Sequence, residues 1–306
     1  MEQLLFVFVH IGLPILIGIS IFWDKPRSKT GLFAAAFFYI AYLWFIYLWG
    51  QWPIAISYYF KYIVLAILSS AVVITIMNYK YARRTFPKGV FKNTKNTILF
   101  LLGLFFLVLV VDLYKGRNYK GVSVSLEFPL KNGSYYIASG GSNKVINNHY
   151  GTSVTSQHYA LDINKIGAAG KIFQGMESDK NEGHYIFAEP LYSPCAGKVI
   201  ALKTSVEDNM GSSMDVSAEN GQGNFIALNC DNTIVTMVHL KKKSIVVTLG
   251  EQVKKGQLLG KVGNSGFSQE PHLHIQAAQY NIDSILVGVP MAFNERLLYR
   301  NEIFRN

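Results

Sequence analysis

Four apolar runs, at about residues 4–23, 31–50, 57–77 and 97–114, dominate the first 114 residues of this 306-residue chain. Each is close to the ~20 residues that an α-helix needs to cross a bilayer. A helix that is apolar on every side must bury all of its surface in protein or in lipid. Four such runs in succession, with almost no charge inside them, favour lipid over the interior of a large soluble protein. Trp44, Tyr47, Trp49, Trp52, Tyr58 and Tyr59 crowd the ends of the runs, where amphipathic rings suit the membrane interface. Only Glu2 is charged ahead of the first run. Without a basic leader, and with so long an apolar stretch, that run reads as a retained helix and not a cleaved signal.

Charge in the connecting loops sets an orientation. The first loop holds Lys25, Arg27 and Lys29, and the third holds Lys80, Arg83, Arg84, Lys88, Lys92 and Lys95. The second, around Gln51-Trp52-Pro53, has neither Lys nor Arg. Loops one and three are therefore expected in the cytoplasm, and four spans return both ends of the chain to the outer side. Lys115, Arg117 and Lys120 after the last run weigh slightly against this. The net charge of +10 has the same origin, because residues 121–306 carry 16 basic and 16 acidic side chains. A neutral C-terminal region gives no footprint for nucleic acid, and none is expected as a partner. His10, Lys61 and Asp112 are the ionisable residues within the runs. Hydrogen bonding to a neighbouring helix, snorkelling and proximity to the bilayer edge account for them without a functional role.

The expected organisation is a four-helix transmembrane region over 1–114, a link with an early strand over 115–132, and a mostly antiparallel β domain over 133–306. Short alternating segments at about 134–138, 159–164, 197–203, 224–229, 233–239 and 272–277, separated by Gly, Asn and Asp turns, carry the β assignment. Residues 165–190 read as a polar excursion, with His184 at the surface. Cys195 and Cys230 are the two cysteines. Pairing of 197–203 with 224–229 would bring them to one end of the sheet, which allows either a disulfide or two separately buried thiols.

Chemistry concentrates in the histidines. His272 and His274 stand two apart in Glu270-Pro271-His272-Leu273-His274-Ile275-Gln276, so on a strand they share a face. His158 and Asp162 are four apart, an even spacing that would also place them on one strand face. His239 closes the apolar run from Ile234 to Val238. Imidazole and carboxylate together match the donor set of a catalytic zinc, which takes three protein ligands and leaves one position open.

His158-x3-Asp162, then His239-Leu240, then Gly263-Asn264-Ser265-Gly266 leading to Pro271-His272-Leu273-His274, resembles the M23 (lysostaphin/LytM-type) zinc metallopeptidase family. Ser193-Pro194-Cys195-Ala196-Gly197-Lys198-Val199 and the stretch from Gly250 to Gln257 extend the resemblance, which covers about 133–280. Ala160 stands where the commonest first motif has Gly, and Met237 near where many members have Tyr. Gln157-His158-Tyr159-Ala160-Leu161-Asp162, with Gly140-Gly141-Ser142 and Asn148-His149 upstream, looks like a branch of the family.

The resemblance implies one Zn2+ per chain on His158, Asp162 and His274, with His239 and His272 as non-ligating catalytic histidines. It further implies a membrane-anchored endopeptidase on the outer face of the plasma membrane, cutting peptidoglycan cross-bridges or stem peptides. The alternative is a catalytically silent domain of the same type that binds wall or a partner protein. All five family positions are filled, which favours the enzyme. A biotinyl- or lipoyl-carrier reading of Gly250–Gly260 lacks its modifiable lysine motif.

Overall fold

The computed structural model describes residues 6, 8–23, 28–81, 94–119, 121–175, 180–210 and 216–306. Lys25, Arg27, Arg83, Arg84, Lys88, Lys92 and Lys120, which enter the orientation argument, lie outside them. The chain divides into two compact units, Met1–Tyr114 and Lys115–Asn306.

In the first unit a π-turn over Phe8–Gly12 leads into α1 (Leu13–Trp23). Then come α2 (Lys29–Trp49), the single turn α3 (Trp52–Ala55), α4 (Phe60–Tyr81) and α5 (Thr94–Gly116). Ser28 caps α2, its Oγ accepting from the Gly31 amide at 3.1 Å, which satisfies one of the orphan donors of the first turn. Tyr42, Leu43, Ile46, Trp52 and Val64 form the packed interior. Among the described residues two helices, α2 and α5, are long and apolar enough to cross a membrane. The first and third runs correspond to shorter apolar stretches, Phe8–Ile21 and Phe60–Ala71. Along α5, Leu101, Phe105 and Val108 are all more than half exposed, at 54, 56 and 52%. That is an apolar face left exposed among the described residues. His10 is held structurally: its Nδ1 lies 2.9 Å from the Phe6 carbonyl and its ring stacks on Trp49. The Lys61 ammonium sits 3.7 Å from the centre of the Tyr58 ring, a cation–π contact.

The second unit is built on one antiparallel sheet. In chain order the strands are β1 (Val124–Leu126), β2 (Ser134–Ser139), β3 (Leu161–Ile166), β4 (Pro190–Tyr192), β5 (Gly197–Lys203), β6 (Asn224–Cys230) and β7 (Thr233–Leu240). They continue with β8 (Gln252–Val253), β9 (Leu258–Lys261), β10 (Leu273–Tyr280), β11 (Leu286–Gly288), β12 (Met291–Phe293), β13 (Arg296–Leu297) and β14 (Ile303–Arg305). The main sheet runs β14-β2-β3-β10-β7-β6-β5-β8, with β11 also on β10. β4 pairs with β9, and β12 joins β1 to β13. Turn residues Asp231 and Asn232, both at positive φ (50° and 63°), close the β6–β7 hairpin, a conformation that Asn and Asp adopt most readily after Gly.

Ile137, Leu161, Ile163, Ile226, Leu228, Leu273 and Ile275 point into the core. Each contributes about 1.5–3 kcal/mol from burial. Phe128 and Leu130, within the expected link, belong to this core as well. Cys195 and Cys230 form a disulfide, with Cα atoms 6.0 Å apart, that ties the entry of β5 to the end of β6. His184, expected at the surface, is buried, its ring edge-on to Phe173 at 5.8 Å.

Candidate metal centre

β10 is buried on both faces from Leu273 to Ala278. Leu273, Ile275 and Ala277 face the core, so the strand period turns His274 and Gln276 to the opposite side. β10 pairs with β3 in a register that sets His274 directly opposite Asp162. Their side chains meet: His274 Nδ1 lies 3.0 Å from Asp162 Oδ1. His272, one residue ahead of the strand, brings its Nε2 to 3.8 Å from the same oxygen. The start of β10 is fixed by Asn164, whose amide donates to the Pro271 carbonyl at 3.1 Å.

His239 reaches the site through a bulge. The β6–β7 register shifts between Asn224↔Leu240 and Ile226↔Met237, so Val238 and His239 oppose Phe225 alone. His239 takes up the extra residue at φ 63°. A bulge of this kind re-aims a side chain, and the His239 ring comes to 4.8 Å from His272, centre to centre. Its Nδ1 donates to the Ser265 carbonyl at 2.8 Å. The loop carrying Ser265 turns back at Gly266, at φ 82°, where a Cβ would stand 2.3 Å from the Gly223 nitrogen; only glycine fits there. Asn209 clamps that loop, donating to the carbonyls of Gly266 and Ser268 at 2.7 and 2.8 Å. His272 Nδ1 donates in turn to the Glu270 carbonyl at 2.9 Å. With both Nδ1 protons committed to carbonyls, each neutral ring presents Nε2 as its free base.

The fourth histidine of the cluster is not the expected one. His149 Nε2 lies 2.8 Å from Asp162 Oδ2, and His149, Asp162 and His274 place one ligand atom each within 4.8 Å of one another. His158 stands apart: its Nε2 lies 3.1 Å from the Thr152 carbonyl and its ring lies beside Tyr150. The reason is local. His158 caps a 3-10 turn over Thr155–Gln157 with αR dihedrals of −53° and −27°, and β3 begins only at Leu161. Positions four apart share a face on a strand but not across a turn that runs into one. Asn147 closes the 140–160 loop instead. Its amide donates to the Gly141, His158 and Ala160 carbonyls at 2.9, 3.1 and 3.3 Å, and its Oδ1 accepts from the His149 amide at 3.0 Å. Seven histidines and one Asn148-His149 pair between β2 and β3 were the available signal for His149. No local period links it to Asp162.

The electrostatics suit a cation site. Burial works against the Asp162 charge, but His149 outweighs it and holds the carboxyl well below its usual range. His149 is raised: burial opposes its charge, and the Asp162 carboxylate overcomes that. His239 is driven well down by burial, with His272 and His274 adding to the effect. Burial also lowers His272, although Asp162 partly offsets it. Burial and then the Asp162 charge push the Glu270 carboxyl up to about 7, a group that the sequence patterns did not single out. Two imidazoles and a carboxylate, close enough to share one ion, fit a three-ligand zinc site with an open position.

Residues 179–284 match the model for Peptidase family M23. That range contains His239, His272 and His274 but stops short of His149 and Asp162. Among solved structures, a zinc containing peptidase from Vibrio cholerae is 18% identical at a TM-score of 0.31, over 60% of this chain and 41% of that one. LytU is 22% identical at 0.24, over 31% of this chain and 57% of that one. The catalytic domain of lysostaphin from Staphylococcus simulans is 27% identical at 0.18, over 35% and 77%. This chain thus spans less than two thirds of the length of the first two. No curated protein matches the chain.

Proposed function

We propose that this chain is a membrane-anchored zinc metalloendopeptidase that hydrolyses peptide bonds in peptidoglycan, with His149, Asp162 and His274 holding the ion. The observation that carries this is the convergence of those three side chains on one point with His239 and His272 beside them. When bound, zinc supplies Lewis acidity and a water acidified toward neutrality. His272, whose Nε2 is the nearer to the ligand carboxylate, accepts the proton of the attacking water. The same proton goes on to the leaving amine, from His272 Nε2 directly or relayed through the free-base Nε2 of His239, whose ring lies 4.8 Å away and which burial disposes to give a proton up once it holds one. The substrate class comes from the matched family, not from a residue here.

The test is zinc content and hydrolysis measured together. Wild type should carry about one zinc per chain, and His239→Ala and His272→Ala should keep it while losing ~10²-fold or more in cleavage of wall peptides. A zinc-loaded wild type that cleaves none of a broad wall-peptide panel would leave a silent binding domain as the better account.

The anchoring proposal rests on the apolar runs and on the bare face of α5. The four apolar runs favour four spans, and loop charge favours a C-terminal unit outside the cytoplasm. Protease added to cells with an accessible membrane surface should digest residues 121–306 and reach the loop from Lys80 to Lys95 only after lysis. Protection of the C-terminal unit would invert the topology.

A further inference from the structure

Gln276 shares the site face of β10 with His274 and is 5% exposed. Its Oε1 lies 3.0 Å from His274 Nε2, and its amide nitrogen lies 3.4 Å from Ser156 Oγ. A carboxamide oxygen only accepts, so in this arrangement His274 Nε2 carries the proton. The Nδ1 lone pair then faces Asp162 Oδ1 at 3.0 Å. Two acceptors that close repel unless a cation lies between them. Building on the metal centre described above, we propose that Gln276 is a positioning residue. It holds His274 in its Nε2–H tautomer and so makes Nδ1 the metal-facing atom.

The reverse orientation of the amide makes the opposite demand. A Gln276 that donates to Nε2 would leave Nδ1 protonated and hydrogen-bonded to Asp162, a tautomer that cannot ligate. The Ser156 hydroxyl can serve either orientation, because it both donates and accepts. A carboxylate at position 276 can only accept, and this separates the two cases.

The experiment uses the full chain in detergent, with zinc affinity measured by competition against a chromophoric chelator. Gln276→Glu should bind zinc as tightly as wild type or more tightly. Gln276→Leu should bind about 10- to 100-fold more weakly, as expected when an outer partner of a ligating histidine is lost. Glu weakening the site as much as Leu, or Leu matching wild type, would overturn the proposal. Should the Leu variant fold poorly, the 15N imidazole signals of metal-free wild type decide the matter. An Nε2–H His274 supports the proposal, and an Nδ1–H His274 refutes it. His274→Ala tests the underlying site separately: if it retains zinc, the metal centre itself is misassigned.

Discussion

Two segments meet at Asp162, and they were written into the chain in different ways. β10 delivers His274 by strand period alone. Its alternation of Leu273, Ile275 and Ala277 with His274 and Gln276 is visible in the sequence, and pairing with β3 puts His274 against Asp162. The 140–160 loop delivers His149 by closure. Its geometry is set by a buried Asn147, by a tight turn at Gly141 and by a 3-10 turn that carries His158 away. A strand fixes its side chains through contacts two residues apart. A loop fixes them through hydrogen bonds that no local pattern announces. His149 and His158 are both near Asp162 in sequence; the strand-like spacing belongs to His158, and the structure brings His149 to Asp162 instead.

The sharpest way to break this comparison is to exchange the loop's two histidines. His149→Ala should abolish stoichiometric zinc in the full chain, a loss of ~10³-fold or more in affinity when one of three protein ligands goes. His158→Ala should leave affinity within about threefold, since that ring meets only the Thr152 carbonyl and the Tyr150 ring. Metal content measured by atomic emission on both variants decides it. Zinc lost from the His158 variant and kept in the His149 variant would mean that the H-x3-D spacing had been right and the loop geometry wrong.

A smaller effect should appear in pH dependence. In the metal-free protein His149 is raised above 6.5 because Asp162 overcomes its burial, and Asp162 is held below 3.8 chiefly by His149. The His149 contribution to stability is fully present below pH 6.5 and is lost as pH rises through its raised value. The Asp162 contribution is present above 3.8 and is lost as pH falls through its depressed value. Thermal midpoints of the metal-free chain should therefore peak in the mildly acidic range. Zinc needs a neutral imidazole and must displace the His149 proton. Its affinity should fall by about tenfold per pH unit once pH drops below the raised His149 value. A zinc affinity flat between pH 8 and 6, to within about twofold, would contradict a ligand whose proton is held this way.

Much of the remaining architecture was legible for reasons that separate along the same line. The apolar runs, the hairpin turn at Asp231-Asn232 and the His272/His274 face are all local periodicities, and the structure realises each as helix, turn or strand. Length and charge pointed to four spans, whereas two helices among the described residues meet the full requirement. The cysteine pair was open between bridge and thiols because only sheet pairing brings 195 to 230. His239 is a mixed case. Its place at the end of an apolar strand was evident, but the bulge that turns its ring toward His272 follows from a register shift against β6. Gln276 and Glu270 bound the His-x-His stretch but carry no role in the sequence reading, because neither residue type signals chemistry until its neighbours in space are known.

The smallest expected effect is the one that isolates closure from ligation. Asn147 is fully buried, and its side chain hydrogen-bonds backbone groups and the Ser139 hydroxyl. Its amide serves the carbonyls of Gly141 and Ala160, and its Oδ1 receives the His149 backbone amide. Asn147→Ala strands those three groups, which costs about 3 kcal/mol of stability or more at ~1–3 kcal/mol for each group left unsatisfied. All three ligands remain in the sequence, so zinc should still bind, but about tenfold more weakly, because the loop must be ordered at the ion's expense. The zinc-induced rise in thermal midpoint should shrink in proportion, while Asn164→Ala, which loosens β10 at Pro271, provides the strand-side control. If Asn147→Ala destabilises the chain yet leaves zinc affinity untouched, His149 is held by something other than this loop. The contrast between a strand-borne ligand and a loop-borne ligand would then lose its physical basis.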